Sequence, residues 1–135
     1  MKVLVDTPIW SYALRSQNNH YKFEIDALIA LIRDQRAVII GPIRQEILSG
    51  YSDSRKYRII REKLSYFENT PISDVDYVLA AEFSNKCRKK GVQGSHIDLL
   101  ICAVANRIDI PIFTTDKDFE LYQKIVSIKL FKFQG

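Results

Sequence analysis

Residues 96–116 read His96-Ile-Asp-Leu-Leu-Ile-Cys-Ala-Val-Ala-Asn-Arg-Ile-Asp-Ile-Pro-Ile-Phe-Thr-Thr-Asp116. The first half sets Ile97, Leu100, Ile101 and Val104 on one face at helical spacing, so a helix is expected over Ile97–Arg107. The second half, Ile110–Thr114, is an apolar run too short for a helix, closed by an acid, and reads as a buried strand. Gly94-Ser95 opens the helix, and Ser95 lies three residues before Asp98, as in a capping box. A helix feeding a buried strand is the second half of a crossover unit.

The same alternation runs through the rest of the chain. Lys2–Val5 is a short apolar strand, and Asp6-Thr7-Pro8 starts a helix carrying Ile9, Trp10, Tyr12, Ala13 and Leu14, broken at Ser16–Asn19. A helix over Phe23–Arg36 leads to a strand, Ala37–Ile40. Gly41-Pro42 opens a third helix, which Gly50 stops. Residues 54–67 form another, and Thr70–Ile72 is at most an edge strand. Ser73 or Asp74 caps a helix to Lys90; beyond Asp116 come a short helix, Asp118–Ile125, and a last strand, Ser127–Phe131. The order βα, βα, βα, βα, β predicts an α/β fold with a central parallel sheet of four to five strands and helices on both faces. No repeat, low-complexity tract or linker interrupts it, so residues 1–135 read as a single domain.

Hydrophobic residues make up 47% and charged residues 27%, which places the chain among globular proteins. Its apolar runs are too short to span a bilayer, and the first strand, cut short by Asp6, does not resemble a signal peptide; no membrane contact and a cytoplasmic location are expected. Cys87 and Cys102 stand in no metal-ligand spacing and read as buried free thiols. His20 and His96 are too far apart to form a zinc pair, and His96 reads as a helix-start residue. The net charge is +4, and it is clustered: Arg55, Lys56, Arg58, Arg61 and Lys63 form one run, with Tyr51, Tyr57 and Tyr66 nearby, and Lys86, Arg88, Lys89 and Lys90 form another. Each run alone fits a solvated helix face; together with an acidic site they point to an anionic substrate such as nucleic acid.

Four acids carry the functional reading. Asp6 and Asp116 close strands, where open α/β sheets build their sites. Glu46 lies in the helix after the second strand, and Asp98 in the first turn of the helix that feeds Asp116. Each has a plain structural use: Asp6, Asp98, Asp116 and Asp118 all suit helix starts, and Glu46 suits an exposed helical face. If the first and fourth strands are neighbours, the strand ends converge. Asp98 is harder to place, and an ordinary crossover is expected to leave it away from that rim. Carboxylates brought together repel one another unless a hard cation holds them, so the set reads as a Mg²⁺ or Mn²⁺ site.

The chain resembles the PIN-domain ribonucleases, and within them the VapC-type toxins of toxin–antitoxin pairs. The resemblance spans nearly the whole sequence. It rests on Val3-Leu-Val-Asp-Thr7, Ile43-Arg-Gln-Glu-Ile-Leu-Ser-Gly50, His96-Ile-Asp-Leu-Leu-Ile-Cys-Ala-Val-Ala105 and Ile110-Pro-Ile-Phe-Thr-Thr-Asp-Lys-Asp-Phe119. It implies a PIN-like three-layer α/β/α fold and a metal-dependent endoribonuclease with Mg²⁺ or Mn²⁺ held by Asp6, Glu46, Asp98 and Asp116. Thr7, Thr115 and Asp118 match supporting positions. RNA as substrate, a VapB-like antitoxin as partner and a homodimer follow from the same resemblance. Pro8 departs from the small polar residue many members carry.

From the residues themselves, Asp6 and Asp116 are expected as direct ligands, Asp98 as a ligand directly or through water, and Glu46 as the group that orients water or holds a second ion. Arg15, Arg44 and Lys117 are candidates for phosphate contacts, and Tyr12 and Trp10 for stacking on bases, with Trp10 better suited to the core. Three other readings stay open: a PIN nuclease of RNA processing, a non-catalytic PIN-like binder, and a phosphatase with Asp6 as nucleophile. The last lacks an acid two residues on, where Pro8 stands.

Overall fold

The computed structural model describes residues 1–15 and 20–133; the helix break expected at 16–19 lies outside them. Val3–Val5 form β1, and all three side chains are fully buried. Neighbouring strand side chains point to opposite faces, so both faces of β1 are covered. Ala37–Val38 (β2) and Ile112–Phe113 (β3) flank it in the order β2-β1-β3, each parallel to β1. Val3 pairs with Ala37, Leu4 with Val38 and Ile112, and Val5 with Phe113.

The sheet therefore has three strands among the described residues, not four to five. The segments expected as further strands do lie along its edges, but each makes one bridge: Asn69 beside Ile39, and Leu130 beside Ile112. Pro71 has no amide hydrogen with which to lengthen the first. In the second, the Ile128 amide turns to the carbonyl of Val126 and not to the sheet.

Seven helices surround the sheet among the described residues: α1 (Thr7–Arg15), α2 (Lys22–Arg33), α3 (Gly41–Ser49), α4 (Ser54–Leu64), α5 (Asp74–Lys89), α6 (His96–Ile108) and α7 (Asp118–Gln123). α2 ends earlier than its apolar spacing predicts because Gln35 takes a positive φ of 56° and turns the chain into β2. α6 is the central helix: Leu99 to Ala105 are all buried, with α5 packed along it and β3 beside it. α1 packs on α2 and α3, and α3 on α4. Cys87 and Cys102 are free and buried in the core.

The far end of α6 is tied to α5 by a buried ion pair. Asp76 is 0% exposed; Arg107 bonds it through Nε and Nη2, the latter at 2.9 Å from Oδ2. The Ser73 amide adds a bond at 2.9 Å. Among the described residues, no helix is long and apolar enough to cross a membrane. Since the chain leaves β1 for β2 on one side and reaches β3 on the other, the carboxyl ends of β1 and β3 form a topological switch point.

Candidate functional site

The sheet register decides the geometry. Val5 pairs with Phe113, so the next residues, Asp6 and Thr114, stand side by side on the carboxyl rim. Thr114 Oγ1 donates to Asp6 Oδ2 at 2.7 Å and accepts from the Asp116 amide at 3.0 Å. Asp6 Oδ1 accepts from the Thr7 amide at 2.8 Å, and Thr7 Oγ1 donates to Glu46 Oε1 at 2.6 Å. One strand end and the first turn of α1 thus hold Asp6 and Glu46 in a single hydrogen-bonded set.

Asp98 joins them from α6. A crossover helix runs antiparallel to the strands it connects, so α6 begins on the rim where β1 and β3 end. Ordinary topology therefore brings Asp98 in, contrary to the expectation from the sequence. Ser95 Oγ accepts from the Asp98 amide at 3.0 Å, as its capping position predicts. The Asp98 carboxylate accepts from the hydroxyl of Tyr122 on α7 at 2.9 Å. Asp116 Oδ1 accepts from the Asp118 amide at 2.9 Å. Oxygens of Asp98, Asp116 and Asp118 all lie within 4.8 Å of one another.

The electrostatics show how close these groups are. Burial pushes the Asp6 carboxyl up to about 6; the Thr114 and Thr7 hydrogen bonds pull against it, and the charges of Asp98 and Glu46 push further. Asp98 is also raised, first by burial, opposed by the Tyr122 and Ser95 hydrogen bonds and reinforced by Asp116 and Glu46. Burial, then the bond to Asp98, holds the Tyr122 phenol well above its usual range, so it acts as a donor. No lysine or arginine forms an ion pair with these acids among the described residues. A donor set made of carboxylate oxygens, crowded, partly desolvated and without a cation from the chain, fits a hard divalent ion such as Mg²⁺ or Mn²⁺.

Two participants escape sequence reasoning. Thr114, not Thr115, bonds Asp6; the Thr115 hydroxyl meets Tyr12 at 2.8 Å. Thr114 follows β3 directly, and its place beside Asp6 comes from the pairing of Val5 with Phe113. Tyr122 lies four residues after Asp118, one helical turn on, but nothing in its local sequence points to Asp98.

The candidate substrate contacts divide. Trp10 is core, its indole donating to the Val5 carbonyl at 3.0 Å and its ring set edge-on to Phe67. Arg44 is engaged by Asn69, by the Leu64 carbonyl at the end of α4 and by the Phe67 carbonyl. Lys117 is exposed at the start of α7. Tyr12 stacks on Tyr21. Arg15 lies over the Tyr51 ring and lines a cleft of about 570 Å³ with Lys56 and Lys63 at its rim and Leu14, Ile59 and Ile60 as its apolar lining. This cleft adjoins Gly50, one turn beyond Glu46 in α3. The basic residues closing α5 suit that helix's negative end.

A family model described as the PIN domain matches residues 3–125. No curated protein sequence matches the chain. Among solved structures, FitAcB from Neisseria gonorrhoeae superposes with a TM-score of 0.78 at 20% identity, covering 96% of each chain. VapBC2 from Rickettsia felis, bound to a promoter DNA fragment, gives 0.76 at 18% identity over 99% of this chain and 100% of that one. VapBC-5 from Mycobacterium tuberculosis, of a toxin–antitoxin family, gives 0.69 at 20% identity over 98% and 99%. At such identities the likeness is one of fold.

Proposed function

The chain belongs to the PIN-domain family, and from that premise we propose that it is a metal-dependent endoribonuclease, a single PIN domain over residues 1–135, acting as the toxin of a VapBC-type pair. The observation that carries this reading is the convergence of Asp6, Glu46, Asp98 and Asp116 on one rim, with Asp6 buried and held near 6 by desolvation and by its acidic neighbours. Such an arrangement is costly to fold without an external cation.

Asp6, Asp98 and Asp116 would hold Mg²⁺ or Mn²⁺, with Asp118 beside them and Glu46 at the exposed edge. Bound there, the ion supplies charge neutralisation and Lewis-acid polarisation of the scissile phosphate. The chain's own residues do the rest. Thr114 fixes Asp6 and the Asp116 backbone in one geometry. Thr7 orients Glu46, whose exposure lets it accept a proton from water attacking in line. The substrate's phosphates would meet cations outside the rim, with Arg15, Lys56 and Lys63 gathered in the cleft beside Gly50.

VapBC-5 belongs to the VapBC family of toxin–antitoxin systems, and VapBC2 carries the same family name, which supports a partner antitoxin for this chain. Its acidic or apolar tail would suit the cation-rimmed, apolar-lined cleft. A homodimer working in the cytoplasm completes the proposal. The test is cleavage of a mixed structured and single-stranded RNA pool with Mg²⁺, Mn²⁺ or EDTA, for wild type beside Asp98→Asn. Metal-dependent cutting that the variant loses is expected; wild type that binds RNA without cutting any of it would favour a binding module.

A further inference from the structure

We propose that Tyr122 is a positioning residue for the metal site: its hydroxyl holds one oxygen of Asp98 so that the other faces the acid cluster it forms with Asp116 and Asp118. The role rests on the metal-site reading above. Tyr122 is 1% exposed, and its hydroxyl donates to Asp98 Oδ2 at 2.9 Å. Its ring is fixed edge-on against Phe119, with centroids 5.2 Å apart, and its carbonyl accepts from the Ile125 and Val126 amides. A side chain this confined has little freedom to follow Asp98; the carboxylate must settle to suit the phenol.

The chain also makes room for it. A Cβ placed on Gly94 would stand 3.0 Å from Tyr122 Cε1 and 3.2 Å from its hydroxyl, so the loop before α6 passes close against the phenol. Asp98 is therefore held at two points, its backbone by Ser95 and its carboxylate by Tyr122. On α7, Asp118 and Tyr122 are four residues apart and share a face. One short helix thus carries both an acid of the cluster and the donor that aims another, which sets the spacing between Asp98 and Asp118. Hydrogen-bonding partners of ligating carboxylates typically contribute tenfold to a hundredfold in metal affinity.

Tyr122→Phe removes the hydroxyl and keeps the ring. Mn²⁺ is titrated into metal-free wild type and variant by calorimetry, and both metal-free proteins are melted in EDTA. The expected result is Mn²⁺ affinity about tenfold to a hundredfold weaker with the metal-free melting temperature lowered by only a few degrees. Unaltered affinity overturns the proposal. So does a loss of affinity that comes with an equal collapse of metal-free stability, because the hydroxyl would then act through packing. Wild type that binds no Mn²⁺ overturns the metal site itself, and this role with it.

Discussion

Two aspartates are buried at opposite ends of this fold, and they are held in opposite ways. Asp76 meets Arg107, the Ser73 amide and the Ser73 hydroxyl; burial alone would raise its carboxyl, but these partners outweigh it and the group is held below its ordinary range. Asp6 is 5% exposed and has hydroxyl and amide donors but no cation; burial wins, and its carboxyl is pushed up to about 6. The Asp76 site has its cation within the chain, whereas Asp6 meets none among the described residues. That contrast sets the two acids apart more sharply than burial or position at a helix start.

The most severe way to test it is Asp6→Asn. Cleavage should fall by on the order of a thousandfold, a loss at the upper end of those for single charged or dipolar groups in active sites, while the metal-free protein melts no lower than wild type. An RNA cleavage assay beside a melt in EDTA reads both; near-normal cutting would dissolve the contrast. The pH dependence comes next. Between about pH 4 and 6 the unfolded chain releases the Asp6 proton while the folded chain keeps it, so stability of the metal-free protein from this group falls as pH rises through that window. A shift from 3.8 to about 6 corresponds to roughly 3 kcal/mol. Asp76 runs the other way: its stabilisation is present above its unfolded value and is lost as pH falls through its lowered folded one. EDTA melts from pH 3 to 7 should show the Asp6 slope in wild type and lose it in Asp6→Asn.

At the other end, Arg107→Ala should destabilise the fold by about 2–3 kcal/mol, at or just below the range for a broken buried pair, because the guanidinium is about a third exposed. Denaturant unfolding measures it, and Mn²⁺ affinity should not change. Thr114→Val is the finest probe: it should weaken Mn²⁺ binding by about tenfold and cost about 1 kcal/mol of stability. Equal affinity in wild type and variant would mean that the Thr114 bond to Asp6 serves the fold alone.

Much of this frame was legible in residues 96–116 and in the strand-closing acids, because helical spacing and apolar runs report burial directly. A parallel sheet follows from that pattern, while the adjacency of β1 and β3 was only a condition of the reading. The edge segments did not, since Asn69 and Leu130 each form one bridge whose extent depends on where Pro71 and the Ile128 amide turn. Placing Asp98 needed one step beyond spacing: a crossover helix runs antiparallel to its strands and so begins on the rim where they end. Thr114 went unnamed because only the register of Val5 with Phe113 shows which hydroxyl stands beside Asp6. Tyr122 and the Asp76–Arg107 pair join residues 24 and 31 positions apart, and no local pattern joins them.

Gly94 shows what such distant constraints do to the record a sequence leaves. Any side chain there would enter space held by Leu99 and Tyr122, the first only 2.2 Å from a new Cβ. In a survey of tolerated substitutions scored by activity, position 94 would stand with the acids, though glycine has no group to offer an ion or a phosphate. Intolerance at such a site marks where a neighbour's shape is held, and reading it as chemistry would place the active centre one loop too far out.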